Sequence, residues 1–204
     1  MIWLLSDLHG RLDLPGWQNF VARQEQDDIL ILLGDVEIQQ TERENNLVFT
    51  ETILSSKKPI WIVDGNHENF EFICRQPEIA WNGGMVHCLS DTVLHLQRGY
   101  IYNLFGLSCF VFGGTSATIT EEEINRAYES LKQCDYSVDY ILTHDYYKSR
   151  TPGHESAFEK LMDFIDTQVT FRQWYCGHHH RNQALDDLHT IVYDQLISIS
   201  PVQE

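Results

Sequence analysis

The sequence predicts an α/β fold with a parallel sheet. Three observations carry that expectation. Continuous apolar runs of four or five residues recur along the chain, as in strands buried on both faces. Stretches of helical character separate the early runs, giving a β-α-β-α-β order. The residues richest in chemistry follow the C-terminal ends of five such runs, the edge where open α/β sheets bind ligands.

The elements follow in order. Ile2–Leu5 runs into Ser6-Asp7, Ile29–Leu33 into Gly34-Asp35, and Ile60–Val63 into Asp64-Gly65-Asn66. Between them, residues 15–24 gather Trp17, Phe20 and Val21 on one helical face, and residues 41–55 gather Leu47, Val48 and Leu54. Residues 85–113 change character. The runs Met85–Cys88, Thr92–Leu96, Tyr100–Leu104 and Leu107–Phe112 are split by Ser90-Asp91, Arg98-Gly99 and Gly106, which predicts an antiparallel meander. Thr120-x-x-Glu123 is a capping box opening a helix to about Gln133. Tyr140–Leu142 runs into Thr143-His144, residues 155–166 offer another helix, and Gln173–Cys176 runs into Gly177-His178. Leu188–Tyr193 and Leu196–Ile199 are expected to close the chain as a hairpin. No repeat and no long linker divides the 204 residues, so one domain over 1–204 is expected. A domain of that size buries roughly 70% of its unfolded surface and needs no disulfide to fold.

Charge narrows the partners. Fourteen Lys and Arg against 30 Asp and Glu leave a net charge of −16. Such a chain repels phosphate backbones at long range, so long nucleic acids and anionic membranes are not expected partners. A small phosphorylated substrate stays compatible where bound cations reverse the local field. Cys74, Cys88, Cys109, Cys134 and Cys176 form no C-x-x-C pair and suit a reducing compartment. The first apolar run reaches Asp7 too early for a signal-peptide core, and no run is long enough to span a membrane. The cytoplasm is the expected location.

Five turns hold the candidate site. Asp7-Leu8-His9 places a carboxylate and an imidazole two residues apart, though Asp-x-His alone is unspecific and recurs at Asp187-Leu188-His189. Gly34-Asp35 offers a carboxylate able to bridge two cations, with a turn or N-cap as the plainer reading. In Gly65-Asn66-His67-Glu68, Asn66 supplies a neutral oxygen and His67 is available to act on a substrate oxygen. His144 ends a strand. In Gly177-His178-His179-His180, His178 and His180 share a face if the segment is extended, with His179 turned away. Together Asp7, His9, Asp35, Asn66, His144, His178 and His180 make a mixed nitrogen and oxygen set that fits one or two cations such as Mn²⁺, Fe or Zn²⁺. Thiolate ligands are absent from it, which disfavours a structural zinc site. Arg11, Lys148, Arg150 and Arg181 lie near the turns and could fork onto a phosphate, with surface solubility as the plainer reading. Tyr146 and Tyr147 could stack on a base or an aromatic leaving group. His87, His95, His154 and His189 have no motif around them and read as structural.

Taken in order, these motifs resemble the pattern of the calcineurin-like metallophosphoesterases: D-x-H, G-D, G-N-H-E/D, H and G-H-x-H, here over residues 7–180. Residues 63–70, with Trp81-Asn82-Gly83-Gly84, are also similar to a bacterial branch of small members. The resemblance implies a four-layer α/β/β/α sandwich and two divalent ions. It implies Asp7, His9, Asp35 and His180 around one ion and Asp35, Asn66, His144 and His178 around the other, with Asp35 bridging. The implied activity is hydrolysis of a small phosphomonoester or phosphodiester, nucleotides included, by in-line attack of a metal-bridging hydroxide. His67 would contact the phosphate or protonate the leaving group. Mn²⁺ is the expected metal, with Fe and Zn²⁺ as alternatives. Asn66, Arg11 and Tyr146 are the expected substrate contacts.

The chain departs from the protein phosphatase branch of that family. Ile38 and Gln39 stand where that branch has Asp and Arg, and Asp64 stands where it has an Arg before G-N-H-E. Both clamping arginines are missing from those places, which tilts the expectation toward diesters or small nucleotides. Glu37 or Glu68 is left to orient His67. The contrasting expectation is an interaction scaffold on the same fold, similar to the metallophosphoesterase-fold subunit of retromer. Such a chain would have lost ligands, and none is lost here. A metal-dependent nuclease is a third reading, restricted to short polymers by the acidic charge. A homodimer is the default oligomer.

Overall fold

Two sheets face each other in the computed structural model, which describes residues 1–25, 27–40, 46–146 and 156–199. In chain order the elements begin β1 (Ile2–Leu5), α1 (Pro15–Ala22), β2 (Ile29–Leu33), α2 (Asn46–Leu54), β3 (Ile60–Val63) and α3 (Phe70–Ile73). Five strands follow, β4 (Glu78–Trp81), β5 (Gly84–Cys88), β6 (Val93–Leu96), β7 (Tyr100–Leu104) and β8 (Leu107–Phe112), and they precede α4 (Glu121–Gln133) and β9 (Tyr140–Thr143). The chain then forms α5 (Ala157–Gln168), β10 (Gln173–Cys176), β11 (Gln183–Ala184), β12 (His189–Ile191) and β13 (Ile197–Ile199).

The first sheet runs β13-β1-β2-β3-β6-β5-β4 and the second β11-β12-β10-β9-β8-β7. Each has a parallel centre, β1-β2-β3-β6 and β12-β10-β9-β8, flanked by antiparallel strands. The parallel centres bring the C-terminal ends of β1, β2 and β3 to one edge, and those of β9 and β10 to one edge of the partner sheet.

Side-chain alternation explains the layers. In β2, Ile29, Ile31 and Leu33 enter the core between the sheets, while Leu30 and Leu32 pack beneath Trp17 and Phe20 of α1 and Phe49 and Ile53 of α2. In β8, Cys109 and Val111 enter the same inter-sheet core, while Phe110 and Phe112 meet Ile124 and Leu131 of α4 and Phe158 and Ile165 of α5. Strands buried on both faces therefore read as unbroken apolar runs. The result is the expected α/β/β/α sandwich. Both long helices of the second outer layer open on capping boxes, Thr120 with Glu123 and Ser156 with Glu159.

Several expectations are corrected. The runs of residues 85–113 form two hairpins in different sheets. β5 and β6 pair in the first sheet and β7 and β8 in the second, because β6 adds parallel to β3 and β8 parallel to β9. The closing segments are not a hairpin either. β12 lies parallel to β10 in one sheet and β13 antiparallel to β1 in the other. In α2 the buried residues are Asn46, Phe49, Thr50 and Ile53, whereas Leu47 and Val48 are exposed. Val21 of α1 is also exposed. Edge strand β4, mostly exposed, had no clear signal in the sequence.

Candidate functional site

The five motif turns converge where the two strand edges meet, and hydrogen bonds tie them together. Asp7 N–H donates to the Gly34 carbonyl at 3.0 Å and His9 N–H to the Asp35 carbonyl at 2.9 Å. Gly177 N–H donates to the His144 carbonyl at 2.8 Å. Asp35 Oδ1 accepts the His67 N–H at 2.9 Å, and Asp7 Oδ2 accepts the His178 N–H at 2.9 Å.

The backbone there is strained. Asp7, His9, Asp35, His178 and His180 all have positive φ, between 47° and 66°. That region costs a non-glycine residue roughly 1–3 kcal/mol and clusters at functional sites. It also corrects the histidine run. His178 and His180 do not share the face of an extended segment; left-handed turns send them to different groups. Two glycines permit the approach. A Cβ on Gly34 would collide with the His144 ring, and one on Gly65 with the Asp35 carboxylate.

The side chains form two groups, Asp7 with His9 and His180, and Asp35 with His144 and His178, each with ligand atoms within 4.8 Å of one another. Asp35 joins them. Its Oδ2 lies 3.7 Å from His9 Nε2 and 3.5 Å from His144 Nε2. Asn66 belongs beside the second group, its Oδ1 being 3.1 Å from His144 Nε2.

The surroundings select the ligating atoms. His9 Nδ1–H donates to Glu37 Oε1 at 2.6 Å, and His144 Nδ1–H to the Leu33 carbonyl at 2.8 Å. Each bond turns Nε2 toward the site, the usual outer support of a metal-bound histidine. His9 Nε2 and His180 Nε2 face each other at 2.9 Å. Asp7 Oδ1 is buried with no hydrogen-bond donor among the described residues; His180 Nε2 is 3.3 Å away. A buried carboxylate oxygen without a donor is costly unless a cation meets it. Donor set, tautomers and unmatched oxygen thus fit divalent cations held by nitrogen and oxygen.

Electrostatics follow the same grouping. Burial pushes the Asp35 carboxyl up, but the hydrogen bond and charge of His144 outweigh it and hold the group down to about 2. Burial pushes His144 down, and Asp35 overcomes this to lift it to about 9. The hydrogen bond to Glu37 raises His9 against its burial. Burial lowers His178.

The remaining candidates separate. His67 is exposed at the rim, edge-on to His9 with ring centroids 5.6 Å apart. Gln40 Nε2 donates to its carbonyl at 2.7 Å. Glu68 does not take the orienting role considered for it. Its carboxylate is buried and accepts the N–H groups of Val36, Glu37 and Gly65 at 2.9, 2.9 and 3.2 Å, so it fastens the second motif turn to the third. Arg11 is engaged by Asp13, with Nε donating at 3.0 Å. Tyr146 packs edge-on against Trp174 and tilts over His189. Arg181 is exposed. Tyr147, Lys148, Arg150 and His154 lie outside the described residues. His189 is held between Asp186 and Asp166, consistent with a structural role.

Sequence reading missed a polar cluster behind the third turn. Buried Asp64 accepts from Arg98 Nε at 2.8 Å and from His95 Nε2 at 3.1 Å, and His95 Nδ1 meets His87 Nδ1 at 3.1 Å. The signal lay in strand register, since His87 and His95 are direct partners of β5 and β6.

Comparison with known proteins gives one family. The family model described as calcineurin-like phosphoesterase matches residues 1–192. No curated protein matches the chain significantly. Among solved structures, a phosphopantetheinyl hydrolase from Mycobacterium tuberculosis is similar with a TM-score of 0.42 and 15% identity, over 94% of this chain and 89% of that one.

Proposed function

The chain belongs to the calcineurin-like phosphoesterases, metal-dependent hydrolases of phosphoric esters, and from that premise we propose that it hydrolyses a small phosphomonoester or phosphodiester at a pair of divalent ions. The observation that best supports a pair is Asp35, whose Oδ2 stands between His9 Nε2 and His144 Nε2. Asp7, His9, Asp35 and His180 would hold one ion, and Asp35, Asn66, His144 and His178 the other. Bound there, the ions would supply positive charge that offsets the phosphate oxygens and acidifies water.

The chain's own residues do the positioning. Glu37 and the Leu33 carbonyl orient His9 and His144. Glu68 locks the turn that carries Asn66 and His67 to the turn that carries Asp35. His67, at the exposed rim, is the group we assign to the departing oxygen, because an imidazole transfers protons effectively near neutral pH. Carboxylate, amide and imidazole donors without thiolate make Mn²⁺ the first metal to test. Five free cysteines support a reducing, cytoplasmic setting. Among the described residues, no helix is long and apolar enough to cross a membrane.

The test strips the protein with chelator, restores Mn²⁺, and measures p-nitrophenyl phosphate and bis-p-nitrophenyl phosphate turnover. Activity that returns with Mn²⁺ and is absent from Asp35→Asn is expected, and the ratio of the two rates separates monoester from diester chemistry. No turnover above that variant with Mn²⁺, Fe²⁺ or Zn²⁺ would sink the reading.

A further inference from the structure

A cavity of about 210 Å³ adjoins the third motif turn. Asp64 and Phe70, which flank the segment 65–69 bearing Asn66 and His67, both line it. His87, His95, Gln97 and Arg98 line it from the ends of β5 and β6, and Thr118, Glu123 and Arg126 from around α4. β6 is parallel to β3, so Gln97 and Arg98 emerge at the same sheet edge as the catalytic turn. The volume falls below the roughly 300 Å³ at which drug-sized pockets begin, which suits a small group.

The lining specifies that group. Asp64 and Glu123 are matched by Arg98 and Arg126, so the formal charges cancel. Arg98 is held by Asp64 and Glu123, and Arg126 Nε donates to the Arg98 carbonyl at 2.8 Å. Two polar groups remain to be answered. Gln97 Nε2 is buried with no acceptor among the described residues. His95 Nε2–H donates to Asp64 Oδ1, and one hydrogen is shared between the facing Nδ1 atoms of His87 and His95; in the tautomer in which His87 Nδ1–H donates, His87 Nε2 is left as an acceptor. That nitrogen lies 4.0 Å from Glu78 Oε2. Burial pushes the His87 imidazole below its ordinary range, against the charged form. The cavity thus offers a donor, an acceptor and the aromatic surfaces of Phe70 and His87. A planar heterocycle carries an acceptor and an N–H on one edge and a π-face to stack.

We propose that this cavity is a recognition subsite for the non-phosphate part of the substrate, and that this part is an uncharged planar heterocycle of nucleobase size. The inference rests on the phosphoesterase reading. A site built to hydrogen-bond its ligand discriminates strongly against analogues lacking the partner atoms.

The test titrates Mn²⁺-loaded protein calorimetrically with the four common nucleoside 5′-monophosphates and with ribose 5-phosphate, which lacks only the base. At least one nucleotide is expected to bind about tenfold or more tighter than ribose 5-phosphate, one hydrogen-bonded contact's worth or more. That ratio should fall toward one in both His87→Leu and Gln97→Leu, two variants at separate positions that guard against misfolding of either. Equal affinities in the unaltered protein, or a base advantage that survives both variants, would overturn the subsite while p-nitrophenyl phosphate turnover leaves the phosphoesterase reading standing. Absence of both turnover and phosphate-ester binding would overturn the two together.

Discussion

Asp7 and Asp64 make an instructive pair. Each follows the end of a parallel strand, and each is about 1% exposed. Asp64 is saturated: Arg98 reaches one oxygen at 2.8 and 2.5 Å and His95 the other at 3.1 Å. Asp7 is not, since Oδ2 takes one N–H and Oδ1 has no donor among the described residues. Equal burial with unequal satisfaction separates two jobs. A matched buried carboxylate fixes local structure, whereas a mismatched one is held ready for a cation.

The largest expected effect comes from breaking the matched side. Arg98→Met leaves buried Asp64 with only the His95 hydrogen bond, and removing one partner of a buried ion pair costs about 3–5 kcal/mol. Asp7→Asn in the metal-free protein is expected to cost less than about 1 kcal/mol, because no donor is lost at Oδ1 and Asn tolerates the left-handed backbone at φ 56°. Urea denaturation of both variants after chelation checks the contrast, and similar losses would erase it. Acid sharpens it. Burial raises the Asp64 carboxyl, but Arg98 and then His95 outweigh this and hold it well below the carboxylate range. Its stabilisation is therefore full above the unfolded value of about 4 and lost as pH falls through the lower folded value. Wild-type stability should drop more steeply below about pH 4 than that of Asp64→Asn.

Next in size is the effect of metal on the mismatched side. A ligand that binds only the folded state stabilises by about 2.7 kcal/mol at a hundredfold excess over its Kd. Mn²⁺ should raise the denaturation midpoint accordingly in the wild type and much less in Asp7→Asn. An equal rise in both would mean that Asp7 holds no ion. One step outward, Glu37→Gln keeps a hydrogen-bonding side chain beside His9 but removes its charge. Loss of such an outer support weakens metal affinity or activity by about 10–100-fold, and calorimetric Mn²⁺ titration reads it directly.

The same pair shows what was legible beforehand. Asp7 sits in a motif whose spacing survives in one dimension, as do Gly34-Asp35, Gly65–Glu68 and the histidine run, and apolar runs mark most strands. Asp64 gave no comparable sign, because its partners Arg98 and His95 lie more than 30 residues away and meet it only once β6 adds to β3. Sheet assignment failed for the same reason. Residues 85–113 alternate as any hairpins do, and nothing local says that the chain changes sheets between Leu96 and Tyr100. The left-handed turns at His178 and His180 were equally hidden, since no glycine stands at either position.

The smallest expected effect lies far from both carboxylates. Ser156 opens α5 with a reciprocal cap: its hydroxyl accepts the Glu159 N–H at 3.2 Å, and its own N–H donates to Glu159 at 2.6 Å. Phe158, Leu161 and Ile165 of that helix bury in the outer core of the second sheet, so the helix is held mainly by packing. Ser156→Ala removes one side-chain acceptor while leaving the packing intact, and should cost about 1 kcal/mol. Because the cap touches none of the five motif turns, Mn²⁺ should stabilise Ser156→Ala as much as the wild type. Denaturation with and without Mn²⁺ measures both quantities in one series. A loss of Mn²⁺ protection in this variant would mean that the site is coupled to the outer layer, and that satisfied and unsatisfied carboxylates are not the independent devices their geometry suggests.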